Sequence, residues 1–197
     1  MSTFNKEEVT SKVKSMLSNF RIVGVGSRER FADDEKVEGL IDRGPEKYVP
    51  NYQSVIAFGD GNHKKDKDSN ETFGWDYFFS ELISPLEVVE YLDFLGYKSH
   101  IVHKNDIEVS LVNIGVKAGI GELTPVNSLV VRGYGLSPVL QAIITEAPLL
   151  ADELPKAKAH CIQCNLCLKA CPIRDEAYAP GDMSICACNK CAEACPV

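Results

Sequence analysis

The sequence predicts a layered α+β domain over residues 1–155, followed by a small cysteine-rich domain over residues 156–197. Three observations carry that division. Through the first 155 residues, apolar stretches with helical and with strand periodicity alternate, the pattern of an α/β or α+β layer fold. That stretch holds no cysteine and is long enough to bury a conventional core. All eight cysteines fall within the last 37 residues, a span too small to fold on apolar burial alone, so bonds to a metal centre must supply much of its folding energy.

The elements follow in order. Asn5 with Glu8 three positions later reads as a capping box, and Val9, Val13, Met16, Leu17 and Phe20 continue at helical spacing, so a helix is expected over 6–19. Arg21 to Gly26 reads as a short buried strand. Its Gly24-x-Gly26 hints at a dinucleotide loop, but position 29 is Glu where the third glycine belongs, and a glycine-rich turn is the better account. Residues 28–53 are charged, with a turn at Gly44-Pro45. Ser54 to Phe58 is a second buried strand, closed by Gly59-Asp60-Gly61-Asn62. Lys64 to Glu71 is a solvated charged loop, and Phe73, Trp75, Tyr77, Phe78 and Phe79 form an aromatic cluster suited to a core. Ser84-Pro85-Leu86-Glu87 reads as a capping box with proline in the first turn, opening a helix that stops at Gly96. His100 to His103 is a third strand; two histidines at odd spacing face opposite sides, which disfavours them as a metal pair. A helix is expected over 107–118, then strands over Asn127–Arg132 and Val139–Thr145, and Pro148 to Pro155 leads into the second domain.

Composition bounds the partners. A net charge of −7 and a pI near 5.2 argue against a nucleic-acid or anionic-membrane surface, where Lys and Arg would dominate. No basic region followed by an apolar stretch opens the chain, and no apolar run approaches the ~18 residues of a membrane span. A cytoplasmic, reducing location is expected. There the sequon at Asn70-Glu71-Thr72 carries no meaning.

The cysteines are ordered. Cys161-x-x-Cys164-x-x-Cys167-x-x-x-Cys171-Pro172 is the ligand run of a bacterial-type ferredoxin, and Cys188-x-x-Cys191-x-x-x-Cys195-Pro196 is the closing half of a second run. Cys186 departs from the repeat, standing two positions before Cys188 instead of three. Two-residue spacers let the chain curl round a cubane corner, and the cysteine before the proline serves the other cluster. Two [4Fe–4S] clusters are therefore expected in a ferredoxin-like domain: cluster A on Cys161, Cys164, Cys167 and Cys195, cluster B on Cys171, Cys186, Cys188 and Cys191. A disulfide framework would suit a secreted chain, and zinc sites usually take separated cysteine pairs, so both are the weaker alternatives.

Several short stretches together resemble the family of epoxyqueuosine reductase and the corrinoid-dependent reductive dehalogenases. They are Tyr48-Val49-Pro50 with Ser54-Val55-Ile56-Ala57-Phe58-Gly59, then Gly74-Trp75-Asp76-Tyr77, Ala118-Gly119-Ile120-Gly121, Gly133-Tyr134-Gly135-Leu136 and Ile143-Ile144-Thr145, with the cysteine runs. In that family an isolated cysteine precedes the second Cys-x-x-Cys-x-x-x-Cys-Pro, and Cys186 is similar to it with the intervening loop deleted. The resemblance implies a nitroreductase-like first domain and a base-off cobalamin between it and the clusters, with electrons arriving from ferredoxin. The chain departs from the family in places. Asn105 stands where the epoxyqueuosine reductases have an Asp proton donor, with Asp106 one residue off, and Thr124-Pro125-Val126 replaces their Gly-Lys-Asn. Neither a C-terminal repeat domain nor a twin-arginine leader is expected for a chain ending at Val197, which reads as a shortened relative.

Three functions fit. The first is an electron-transfer protein or iron–sulfur oxidoreductase whose clusters relay electrons between a ferredoxin- or flavodoxin-type partner and a cofactor or enzyme. The second is a cobalamin-dependent reductase, with Tyr77 and Asp106 as candidate proton donors. The third is a non-enzymatic iron–sulfur partner subunit. Substrate, catalytic residues and oligomeric state are not legible, and low-potential clusters point to anaerobic conditions.

Overall fold

The structure is a computed structural model that describes residues 5–32, 44–60, 75–104, 106, 108–172 and 190–197, with residues 75–81 described in their backbone alone. It is an α+β fold. A four-stranded sheet runs in the order β1 (Ile22–Ser27), β2 (Ser54–Asp60), β7 (Val139–Thr145), β3 (Ser99–Val102), and every pairing is antiparallel. A smaller antiparallel sheet joins β4 (Glu122–Leu123), β5 (Leu129–Val131) and β6 (Gly135–Leu136).

Strand periodicity divides the core into two layers. On one face Val25, Ile56, Phe58 and Ile143 meet Val9, Val13 and Leu17 of α1 (Lys6–Met16 and its cap) and Val88 and Leu92 of α2 (Trp75–Phe94). Phe20 stands edge-on to Phe58, with ring centroids 4.8 Å apart. On the other face Val55, Ala57, Ala142 and Ile144 meet Ile114 and Ala118 of α3 (Leu111–Lys117 and its cap), together with Leu129 and Val131 of the small sheet. β2 is buried along its whole length because both its faces are covered, which is why its sequence reads as a continuous apolar run. Full burial of each such side chain contributes roughly 1.5–3 kcal/mol.

The α1 cap is as expected: Asn5 Oδ1 accepts the N–H groups of Glu7 and Glu8, at 3.1 and 3.4 Å. Other boundaries differ from the sequence expectation. Ser84-Pro85 does not open a helix, because α2 begins at Trp75 and Pro85 lies within it. Proline deletes one backbone donor, but Pro85 shares the buried side with Val88 and Leu92, so the ring is sheltered by the core and the helix runs on. α3 begins at Leu111, not 107, capped by Ser110 Oγ accepting from Asn113 N–H at 3.2 Å. β4 and β6, two residues each, were not expected. The expected loop at 64–71 and the aromatic residue Phe73 lie outside the described residues; Trp75, Tyr77, Phe78 and Phe79 fall on α2 with their side chains undescribed.

Gly24 and Gly26 have a packing role. A Cβ on Gly24 would sit 2.6 Å from the Ala118 carbonyl oxygen, and one on Gly26 would sit 2.8 Å from that of Lys117. The glycines let β1 lie directly against the end of α3, which accounts for the Gly-x-Gly pattern without a bound phosphate.

The chain leaving β7 is pinned as it heads toward the cysteines. Leu149 N–H donates to Ser54 Oγ at 2.9 Å and Leu150 N–H to Thr10 Oγ1 at 2.8 Å. Asp152 then pairs with the free edge of β1: its N–H donates to Val25 C=O at 2.8 Å, and its Oδ2 accepts Val25 N–H at 2.9 Å. Arg30 donates to the carbonyls of both Lys117 and Asp152. No helix among the described residues is long and apolar enough to cross a membrane.

Candidate metal centre

Cys161, Cys164, Cys167 and Cys195 line one cleft, together with Thr124, Pro125 and Val130 from the small sheet and its turn. Cys161 and Cys164 come from the loop entering α4 (Leu166–Ala170), Cys167 from within α4, and Cys195 from just beyond α5 (Lys190–Ala194), which packs against α4. Burial pushes the Cys167 thiol above its usual value, and the neighbouring Cys195 and Cys161 push it the same way.

The loop backbone is shaped for an anionic guest. Gln163 and Asn165 adopt left-handed conformations, φ 56° and 60°, on either side of Cys164. Such residues form the concave arrays of N–H groups found at many iron–sulfur sites. Among the described residues no three His, Cys, Asp or Glu side chains close around a point that a single ion could fill. The four cysteines instead surround a cleft, which suits a cubane taking one thiolate per iron. Of the other expected ligands, Cys171 and Cys191 are half-buried, and Cys186 and Cys188 lie outside the described residues.

One side chain holds the entrance to this loop, and the sequence reading missed it. Glu122, on β4, accepts three backbone N–H groups: Lys158 at Oε1 (2.8 Å), and His160 and Cys161 at Oε2 (both 2.7 Å). Burial raises the Glu122 carboxyl, but those three donors and the nearby His160 outweigh it and hold the carboxyl below the usual range. His160 is fixed from its other side, where Nδ1 accepts Arg132 N–H at 3.0 Å. The Thr124-Pro125-Val126 departure forms a closed turn: Thr124 Oγ1 donates to Ser128 C=O at 2.9 Å and accepts Ser128 N–H at 3.2 Å.

A second, more open space adjoins the cleft, lined by Leu123, Thr124, Pro125, Cys161, Gln163 and Asn165. Asp106 lines neither space. Its Oδ2 accepts the Tyr48 hydroxyl at 2.5 Å, while Oδ1 accepts the N–H groups of Glu108 and Val109 at 2.8 and 3.1 Å, so it organises the turn before α3. The hydrogen bond to Asp106 raises the Tyr48 phenol above its ordinary value, and burial and the carboxylate's charge add to it. Tyr48 stacks flat on His100 at 4.2 Å. Burial lowers His100, the Asp106 charge opposes that, and His103 adds to the lowering. The Tyr77 side chain and Asn105 lie outside the described residues.

No protein-family model and no curated protein matches the sequence. Solved structures do match the fold. The chain superposes on epoxyqueuosine reductase from Streptococcus thermophilus with a TM-score of 0.64 and 15% identity, over 96% of this chain and 65% of that one. For epoxyqueuosine reductase from Bacillus subtilis the values are 0.64 and 17%, over 96% and 64%. For a reductive dehalogenase of B12-dependent dehalogenation they are 0.53 and 15%, over 78% and 21%. The chain thus spans about two-thirds of the length of those epoxyqueuosine reductases, 64–65%, and its fold is the one they and the reductive dehalogenases share.

Proposed function

We propose that this chain is an iron–sulfur oxidoreductase of the reductase type, passing electrons from a ferredoxin- or flavodoxin-type partner through two [4Fe–4S] clusters to a cofactor or partner enzyme. The observation that carries this reading is the shared cleft of Cys161, Cys164, Cys167 and Cys195. A tail cysteine joining three from the first run is the interleaved set that two-cluster ferredoxin spacing requires. Cys171, Cys186, Cys188 and Cys191 would hold the second cluster, within a small unit over 156–197 that follows the larger domain over 1–155.

Bound clusters supply one-electron storage and transfer at a potential set by charge, hydrogen bonding and solvent exposure. The chain's own residues tune those levers. Cys167 is buried and keeps water from one corner of the site, whereas Cys164 is exposed and leaves another corner open to a partner. Gln163 and Asn165 turn backbone N–H groups around Cys164, and Glu122 fixes the approach to Cys161.

A second reading is a cobalamin-dependent reductase on a nitroreductase-like scaffold. It is favoured by the open space that shares Cys161, Gln163 and Asn165 with the cluster cleft, so that a cofactor seated there would touch the electron source. With both Asp106 oxygens engaged and Asp106 lining neither space, that chemistry would need another proton donor. Anaerobic titration of the iron-loaded protein with cob(II)alamin, followed by EPR, separates the two. A shift to a protein-bound base-off signal establishes the corrinoid enzyme. An unchanged free-cobalamin spectrum beside reducible clusters leaves the electron carrier.

A further inference from the structure

We propose that Glu122 sets the reduction potential of the cluster held by Cys161, Cys164, Cys167 and Cys195, keeping it low by fixing a negative charge at the first ligand. The proposal rests on the iron–sulfur reading above. Three observations support it, all outside the cysteine runs.

First, the carboxylate is anchored to the ligand itself: Oε2 accepts the N–H of Cys161 at 2.7 Å, and the N–H groups of His160 and Lys158 complete a three-donor grip. A group held this way cannot swing into solvent when the charge of its surroundings changes. Second, adding an electron to a site beside a fixed anion is disfavoured, more strongly where water is partly excluded, and Glu122 is only half-exposed. Third, the grip engages backbone donors. N–H groups that point at cluster sulfurs favour the reduced form, and here the Cys161 and His160 donors are given to a carboxylate instead. Charge and lost donation act in the same direction, toward lower potential. Arg132, Lys156 and Lys158 are exposed, where solvent and salt screen their charge.

A purely structural staple would leave the potential alone, so the test separates charge from shape. Glu122→Gln keeps an oxygen for the His160 and Cys161 donors and removes the charge. Glu122→Asp keeps the charge on a shorter arm. The full chain, reconstituted anaerobically with iron and sulfide, is titrated reductively and followed by EPR. In E122Q one of the two midpoints should rise by about a tenfold change in the reduction equilibrium, about 59 mV for a one-electron couple. The other midpoint should stay, and E122D should lie near the wild type. Cluster-loaded E122Q with both midpoints unmoved would overturn the proposal, as would E122D shifting as far as E122Q. Loss of the cluster in E122D with its retention and an unmoved midpoint in E122Q would also overturn it, reducing Glu122 to a staple. Wild-type protein that binds no cluster under the same conditions would instead sink the iron–sulfur reading itself.

Discussion

Replacing Asp152 with alanine removes the contact that closes the free edge of β1 just before the cysteine segment begins. Two interactions go at once. The Val25 N–H, on a residue with no exposed surface, loses its acceptor at 2.9 Å, and Lys14 loses its ion-pair partner. Leaving a buried backbone donor unsatisfied costs about 1–3 kcal/mol. The ion pair is about one-third exposed on both sides, so it adds only ~0.2–1 kcal/mol. The expected loss is ~2–3 kcal/mol, which for a chain of this size lowers Tm by roughly 5–10 °C. Asp152→Asn keeps an oxygen toward Val25 and gives up the ion pair alone, so its loss should stay within ~1 kcal/mol. Anaerobic thermal unfolding of the loaded protein, followed by circular dichroism, measures both. D152A indistinguishable from wild type, or D152N as damaging as D152A, would refute the edge-closing argument.

Three further outcomes follow from the same geometry. Asn5→Ala removes the acceptor for two first-turn donors of α1 and should cost about 1 kcal/mol in urea unfolding, with Asn5→Asp near neutral. Gly119→Ala places a side chain at φ +78°, with its Cβ 2.7 Å from the Glu153 carbonyl oxygen. It should cost roughly 2 kcal/mol or more and reduce iron uptake by displacing the segment that leads to Cys161. Tyr48→Phe removes the bond to Asp106 and sets a pH dependence. The folded state holds the phenolic proton more tightly than the unfolded chain, so the stabilisation is full below about pH 10 and is lost as pH rises through the raised folded value. Alkaline unfolding curves of wild type and Y48F should therefore converge above that range.

Legibility followed the range of the interactions. β2 and β7 were readable because almost all of each strand is buried and most of its residues are apolar, and the Asn5 cap was readable because its partners lie two and three positions away. The spacing alone predicts that Cys161, Cys164, Cys167 and Cys195 share one site, and these four line one cleft. Pro85 misled because a capping signature is local, while the burial that carries α2 through it is tertiary. Two-residue strands such as β4 and β6 have no period to detect. Glu122 left no local mark: its three donors lie 36 to 39 residues further along, and only the folded chain brings them to one carboxylate. Asp106 could be picked out by its place beside Asn105, but its engagement by Tyr48, 58 positions earlier, could not.

The central claim is that the cysteines hold two cubanes, one of them completed by Cys195. The most direct measurement is iron and acid-labile sulfide per chain after anaerobic reconstitution, for wild type and Cys195→Ala. The account predicts about eight of each in the wild type, four per cubane, and about half that in the variant, with one EPR signal lost. Zinc in place of iron, or a wild-type content that Cys195→Ala leaves unchanged, would contradict it.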